Sequence, residues 1–396
     1  MNYTTPVSVY FHVPIAPPPR HIYLHVPFCR RRCSYCDFAI AVRRTVPVDD
    51  YVALLTHEVA VRYPEQLPWD IDTLYLGGGT PSLLGADGIT RLLAALRDRL
   101  AWDHRAEVTI EANPDDIDES SARAWHTAGV NRLSIGAQSF DDGALAWMHR
   151  THDAARIAQS VEAARAAGIE NISLDLIFAL PDSVRRAWDD DLAQVMALAP
   201  AHVSVYGLTV EPATPLARWR DRAVVTEAPD ERYEHEFLAA HNALSAEGYE
   251  HYEVSNYARA GQRARHNSSY WRHVPYAGFG PSAHSFDGAA RKWNAREYTE
   301  WSRRVRDGRD PVDGAEVLTE ENLTAERIYL GLRTVDGLDL AAVGSMDRAE
   351  CDRVERWIQA GWGEFDGRHV RLTPTGWLRL DAMAADLTVT SSKSYI

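Results

Sequence analysis

Cysteine is scarce in this chain, with four residues in 396. Three of them, Cys29, Cys33 and Cys36, fall inside the stretch CRRRCSYC, and the fourth, Cys351, lies more than three hundred positions further on. So few thiols make a poor disulfide framework, whereas three within eight residues read as a metal or redox site in a reducing compartment. Long apolar runs are missing as well. No stretch approaches the ~18 residues of a membrane span, and the first twenty residues, ending in IAPPPR, lack a basic start followed by a sustained apolar core. The expected location is therefore the cytoplasm. Positive charge is also short: 42 Lys and Arg against 56 Asp and Glu leave a net charge of -14, which opposes binding to nucleic acid. With 45% apolar and 25% charged residues, the chain is not disordered and fits a soluble protein of roughly two domains.

What is present is a repeat of strand and helix. IYLHVPF (22–28), TLYLGGGTP (73–81), EVTIEAN (107–113), RLSIGAQS (132–139), ISLDLIF (172–178) and HVSVYGLTV (202–210) read as strands. Helical patterns lie between them, as at 87–100 and 154–167. That alternation argues an α/β fold with a parallel sheet. In EVTIEAN the residues Val108, Ile110 and Ala112 share one face and Glu107, Thr109, Glu111 and Asn113 the other; Ser134, Gly136 and Gln138 oppose Leu133, Ile135 and Ala137 in the same way. An apolar outer face and a polar inner one suit an open barrel with a functional interior. Glu111, Gln138 and Asp175 then become candidates for one ligand-binding wall near the C-terminal strand ends.

Beyond residue 250 the sequence turns to aromatic loops. From about 317 it is helical again, and GWGEFDGRHVRLTPTG looks like a hairpin before a last helix. The expected organisation is an extension at 1–20, a partial barrel at 21–250, an aromatic loop region completing the core at 251–316, and a small winged-helix-like domain at 317–390. This last part carries no basic recognition helix and is expected to be a lid or packing domain. The tail TSSKSYI is expected to fray, Cys351 to be a packed thiol, and VYFHVP near the start to be a chance echo of IYLHVP.

The three clustered cysteines leave two readings. Structural zinc normally takes four protein ligands, so His25 or a distant residue would have to complete the set. A cubane iron-sulfur cluster can instead be anchored through three of its irons, leaving the fourth open to a ligand that is not protein. The arginines at 30–32 and 43–44 are either a solvated loop or a counter-charge to such a centre or to an acidic ligand.

CRRRCSYC, with the aromatic Tyr35 before its last cysteine, resembles the C-x3-C-x2-C signature of the radical S-adenosylmethionine (SAM) superfamily. YLHVPFCRRRCSYCDF, LYLGGGTPSLL, TIEANP, SIGAQSF, DLIFALP, HNSSYW and LTPTGWLRLD in order resemble its HemN/HemW group over roughly residues 21–388. The resemblance implies a partial (βα)6 barrel with a 4Fe-4S cluster on Cys29, Cys33 and Cys36. It implies SAM contacts at Tyr23, Tyr35, Gly78, Gly79, Thr80, Glu111, Gln138, Arg150 and Asp175. It further implies heme contacts at His266, Asn267, Tyr270 and Trp271 of the H-N-x-x-Y-W motif, with His25 and His284 as rival ligands.

Coproporphyrinogen dehydrogenases of this group carry another cysteine two positions after the third, where this chain has Phe38, and a longer N-terminal region. The phenylalanine resembles the heme-chaperone branch instead. The expected function is binding of heme and its delivery to membrane-associated hemoproteins of respiratory type, with a homodimer left open. The rival is a radical enzyme acting on a porphyrinogen; a tRNA-modifying enzyme is disfavoured by the acidic charge.

Overall fold

Six consecutive strands carry the architecture: β1 (His21–Val26), β2 (Thr73–Gly78), β3 (Glu107–Ala112), β4 (Arg132–Gln138), β5 (Asn171–Phe178) and β6 (His202–Gly207). The computed structural model describes residues 18–63, 69–344 and 347–391. Each strand pairs in parallel with the next in sequence. After β1 to β6 come helices α1 (Val48–Arg62), α2 (Gly85–Leu96), α3 (Glu119–Ala128), α4 (Ala154–Ala166), α5 (Trp188–Leu198) and α6 (Asp230–Ala246). Local chemistry sets their ends. Asp118 caps α3 by accepting from the Ser121 amide at 2.7 Å, and Gly129 ends it at φ 110°, a left-handed conformation that costs glycine little.

The alternation expected from sequence holds. Ile110, Leu133, Ile135, Leu174 and Leu176 are buried between the sheet and its helices, each contributing ~1.5–3 kcal/mol of burial. The opposite face carries Glu111, Ser134 and Asp175 into the interior.

The region after residue 250 departs from the loop expectation. It continues the sheet through β7 (Glu250–Glu253) and β8 (Asn256–Ala258) at the β6 edge. At the β1 edge it adds β9 (Tyr276–Phe279), β10 (His284–Phe286), β11 (Ala290–Asn294) and β12 (Val312–Val317). These strands are three to six residues long, too short for a two-residue period to stand out from the aromatic residues around them. Among the described residues the twelve-stranded sheet does not close, because its outermost strands are β7 and β12. Helix α7 (Arg265–Trp271) lies between β8 and β9.

The C-terminal part has helices α8 (Glu320–Leu332), α9 (Arg348–Gln359) and α10 (Leu380–Ser391). Strands β13 (Leu338–Asp339), β14 (Gly363–Phe365) and β15 (His369–Leu372) form a separate small sheet in which β14 and β15 are the expected hairpin. This winged-helix-like unit packs on the β7 edge: Arg333 pairs with Glu253 at 2.9 Å and Trp377 meets the His251 ring edge-on at 4.5 Å. Cys351 is exposed rather than packed, since the buried stripe of α9 begins only at Val354. The echo VYFHVP and most of the 1–20 extension lie outside the described residues, as does the end of the tail. No helix among the described residues is long and apolar enough to cross a membrane.

Candidate cofactor and ligand site

The loop that follows β1 is pinned at its base. Phe28–Cys29 pairs with Ala41–Val42, and the Ala41 amide donates to Pro27 O at 2.7 Å. The end of β2 presses against this base: the Gly79 amide donates to Val26 O at 2.8 Å, and a Cβ on Gly79 would stand 2.7 Å from Pro27 O. Gly78, at φ +110°, would place one 2.6 Å from the His25 ring. Both glycines are thus required for protein-to-protein approach that seats the cysteine loop over the strand ends.

Between loop and sheet lies a cavity of about 460 Å³. Cys33, Tyr35, Cys36 and Phe38 line it from the loop. From the barrel come Thr80, Glu111, Gln138, Arg150 and Asp175, joined by Asn267 of α7. Cys29 is buried just behind, with its Sγ 3.5 Å from Thr80 Oγ1. Gln138 reaches the cavity through a register shift in β4 and sits at φ 69°, a strained conformation of the kind that re-aims a side chain at a site. Tyr23, Gly78 and Gly79 are not part of the lining. The Tyr23 hydroxyl donates to His25 Nδ1 at 3.1 Å, and His25 Nε2 donates to Ala39 O at 2.9 Å.

Charge is arranged in the cavity. Arg150 donates to Asn113 Oδ1 at 2.6 Å and Gly136 O at 2.9 Å, and its Nη1 lies 3.7 Å from Cys33 Sγ. Its Nε is buried without a partner. Burial pushes the Cys29 thiol up and takes Cys36 to about 11, so a metal centre has to displace protons to bind here. Glu111 accepts from the Tyr75 hydroxyl at 2.8 Å and the Gly78 amide at 3.0 Å; desolvation nevertheless raises its carboxyl to about 7. Asp175 accepts from Ser134 and Ser173 and is raised by desolvation as well.

The residues fit the implied group. Three free thiols gather beside an unpartnered guanidinium nitrogen, with a polar cavity beyond them. Among the described residues no three His, Cys, Asp or Glu side chains close around a single metal-sized point. The basic loop is tied to the protein: Arg30 pairs with Asp116 at 2.7 Å, Arg31 bonds the Arg150 carbonyl and Arg32 the Cys36 carbonyl at 3.1 Å.

The histidine of H-N-x-x-Y-W is packed away. His266 is 1% exposed, with Nδ1 2.7 Å from Thr73 Oγ1 and Nε2 2.8 Å from the Tyr270 hydroxyl. Its ring stacks on Tyr75 at 5.0 Å, and burial lowers its pKa to about 3. Trp271 stacks under Arg333 at 4.3 Å. Of the rivals, His25 is engaged at both nitrogens, whereas His284 is exposed beside Trp293. Sequence reasoning missed Arg132, Tyr75, Ser204 and Tyr206, all lining the cavity from inward strand positions. The alternation that singled out Ser134 and Gly136 also places Arg132 on that face.

Barrel, cysteine loop and cavity together define a protein of the radical SAM class, and the radical SAM superfamily pattern matches residues 23–195. The HemN C-terminal domain pattern matches residues 318–379. The solved coproporphyrinogen III oxidase (HemN) of Escherichia coli superposes with a TM-score of 0.79 over 94% of this chain and 91% of its own, at 23% identity. Heme chaperone HemW of Mycobacterium tuberculosis is 35% identical over 96% of this chain and 98% of that protein. The HemW of Synechocystis is 36% identical over 88% and 87%, and that of Escherichia coli 37% over 67% and 70%. The chain belongs to the HemW-type family of radical SAM proteins.

Proposed function

We propose that this protein is a heme chaperone that holds a 4Fe-4S cluster on Cys29, Cys33 and Cys36, binds SAM beside it, takes up heme, and delivers it from the cytoplasm to membrane-associated hemoproteins. The observation that carries the reading is similarity along nearly the whole chain to proteins named heme chaperone HemW. It is supported by Phe38, which lines the cavity where the dehydrogenase branch has a further cysteine.

Held by Cys29, Cys33 and Cys36, a cluster would keep one iron without a protein ligand and so would supply a site for the amino-acid end of SAM. The remaining roles belong to this chain's own side chains. Arg150, held by Asn113 and Gly136, sets a fixed positive charge next to the thiolates and a donor for a carboxylate. Glu111, Gln138 and Asp175 offer acceptors for ribose hydroxyls and the ammonium group, and Thr80 a hydroxyl beside Cys29. Asn267 brings the H-N-x-x-Y-W segment to the same cavity. For His266 to ligate heme iron, its ring must first leave Thr73 and Tyr270.

Titrating ferric heme into the anaerobically reconstituted protein, while following the Soret band and SAM products, tests the reading. Stoichiometric heme binding without substrate-coupled 5'-deoxyadenosine supports it. Deoxyadenosine formed together with a decarboxylated porphyrinogen would replace it with the radical enzyme.

A further inference from the structure

Arg132 opens β4 on the inner face, is 2% exposed, and lines the cavity. Its Nε has no hydrogen-bond partner, and among the described residues no carboxylate lies within ion-pair distance of its guanidinium. Arg150, at the thiols, shares this trait; elsewhere among the described residues buried arginines stand against carboxylates. The buried Arg186 pairs with Asp191 at 2.8 Å and Glu236 at 3.1 Å, and Arg333 pairs with Glu253. Burying a guanidinium without a partner is strongly unfavourable, so a fold that retains one in a cavity wall holds it for something that enters.

The neighbours of Arg132 repeat the pattern. In register beside it stand Thr109 on β3 and Asn171 on β5, and Thr109 Oγ1 and Asn171 Oδ1 are likewise buried without partners. Three adjacent inward residues thus each keep an unused polar atom. Glu111 and Asp175 feel the charge of Arg132, but their oxygens are taken by Tyr75, Gly78 and the serines. The cavity therefore has a second cationic pole in addition to Arg150, which stands at the thiols.

We propose that Arg132 is a carboxylate-binding residue of this cavity, taking the carboxylate arm of a small-molecule ligand. The planar fork of a guanidinium matches a carboxylate in a bidentate pair. A monoanion suits the place better than a phosphate dianion, because Glu111 and Asp175 lie alongside and repel added negative charge. Resting on the heme-chaperone reading, the arm is a propionate of the tetrapyrrole; the other source of the same chemistry is the amino-acid carboxylate of SAM.

The test uses the reconstituted full-length chain with ferric protoporphyrin IX, its dimethyl ester, and SAM as separate probes, in the wild type, Arg132→Lys and Arg132→Gln. The wild type is expected to bind the free acid roughly 10- to 100-fold more tightly than the ester, the range of one charge-assisted pair. Arg132→Gln is expected to lose that preference, with ester affinity, SAM affinity and iron content unchanged, and Arg132→Lys to retain part of it. If Arg132→Gln instead weakens SAM by that factor and leaves the porphyrins alone, the carboxylate is that of SAM and the residue's role stands. A wild type indifferent to esterification whose SAM affinity Arg132→Gln leaves unmoved overturns the proposal, as does equal loss of acid and ester in Arg132→Gln. A wild type that binds neither porphyrin refutes the chaperone reading, and a SAM affinity unmoved by Arg132→Gln then overturns this inference too. Should Arg132→Gln not fold, the acid-to-ester ratio of the wild type and of Arg132→Lys decides.

Discussion

His266 Nδ1 and Thr73 Oγ1 meet at 2.7 Å inside the barrel, joining α7 to the first residue of β2, and the Tyr270 hydroxyl holds the other ring nitrogen. Replacing His266 with Ala leaves the buried Tyr270 hydroxyl without this partner and the Thr73 hydroxyl with only His21 Nδ1, at 3.0 Å, and empties the ring's place, with an expected loss of about 2–4 kcal/mol in urea unfolding. Tyr270→Phe removes only the competitor for Nε2. If His266 ligates heme, that variant is expected to bind ferric heme several-fold more tightly; an unchanged affinity removes His266 as the ligand.

Arg150 is expected to serve SAM more than the cluster itself. Arg150→Gln should keep iron and sulfide content while weakening SAM roughly tenfold or more, the scale of one charge-assisted hydrogen bond, measured by equilibrium dialysis. Loss of the cluster together with SAM would instead assign Arg150 to holding the thiol loop.

Glu111 gives a pH dependence of known sign. Its folded carboxyl is raised to about 7 from 4.5, so the folded chain binds this proton more tightly than the unfolded chain. Stability is full below pH 4.5 and is lost as pH rises through 7, by an amount of order 3 kcal/mol. In the ligand-free protein, Glu111→Gln is expected to remove this loss. Its unfolding midpoint relative to wild type should rise between pH 5 and pH 8, and a constant difference would contradict the assignment.

His251 acts in the opposite direction. Its ring stacks on Tyr257 at 4.0 Å and abuts Trp377, with Nε2 donating to Val254 O at 3.2 Å and Nδ1 3.0 Å from His241 Nδ1. Burial lowers its pKa to about 3, so its contribution is complete above pH 6.5 and is lost as pH falls toward 3. At pH 5 the loss is about 2 kcal/mol. His251→Phe should be less sensitive than wild type between pH 7 and pH 5, as read from urea midpoints.

The six parallel strands were legible because each has one apolar and one polar face, as in EVTIEAN and RLSIGAQS. After residue 250 the β14–β15 hairpin was legible from its turn residues, but the six strands that extend the main sheet were not, because runs as short as His284–Phe286 carry too little periodicity. Gly78 and Gly79 are SAM contacts by resemblance alone; that a Cβ on either would meet His25 or Pro27 on β1 and its loop has no sign in sequence, because the contact is fixed only when β1 and β2 pair. The two bonds of His266 depend in part on Thr73, 193 residues away. Arg132 shares the inner face that was read correctly, but a strand-initial arginine carries no sign in sequence of whether a carboxylate will meet it.

The most direct measurement is the iron, acid-labile sulfide and zinc content of the anaerobically reconstituted chain, compared with that of Cys33→Ser. About four irons and four sulfides per chain in the wild type, with both lost in the variant, is the expected result. One tightly held zinc without sulfide in the wild type, or a full complement of iron and sulfide retained by Cys33→Ser, would contradict the account.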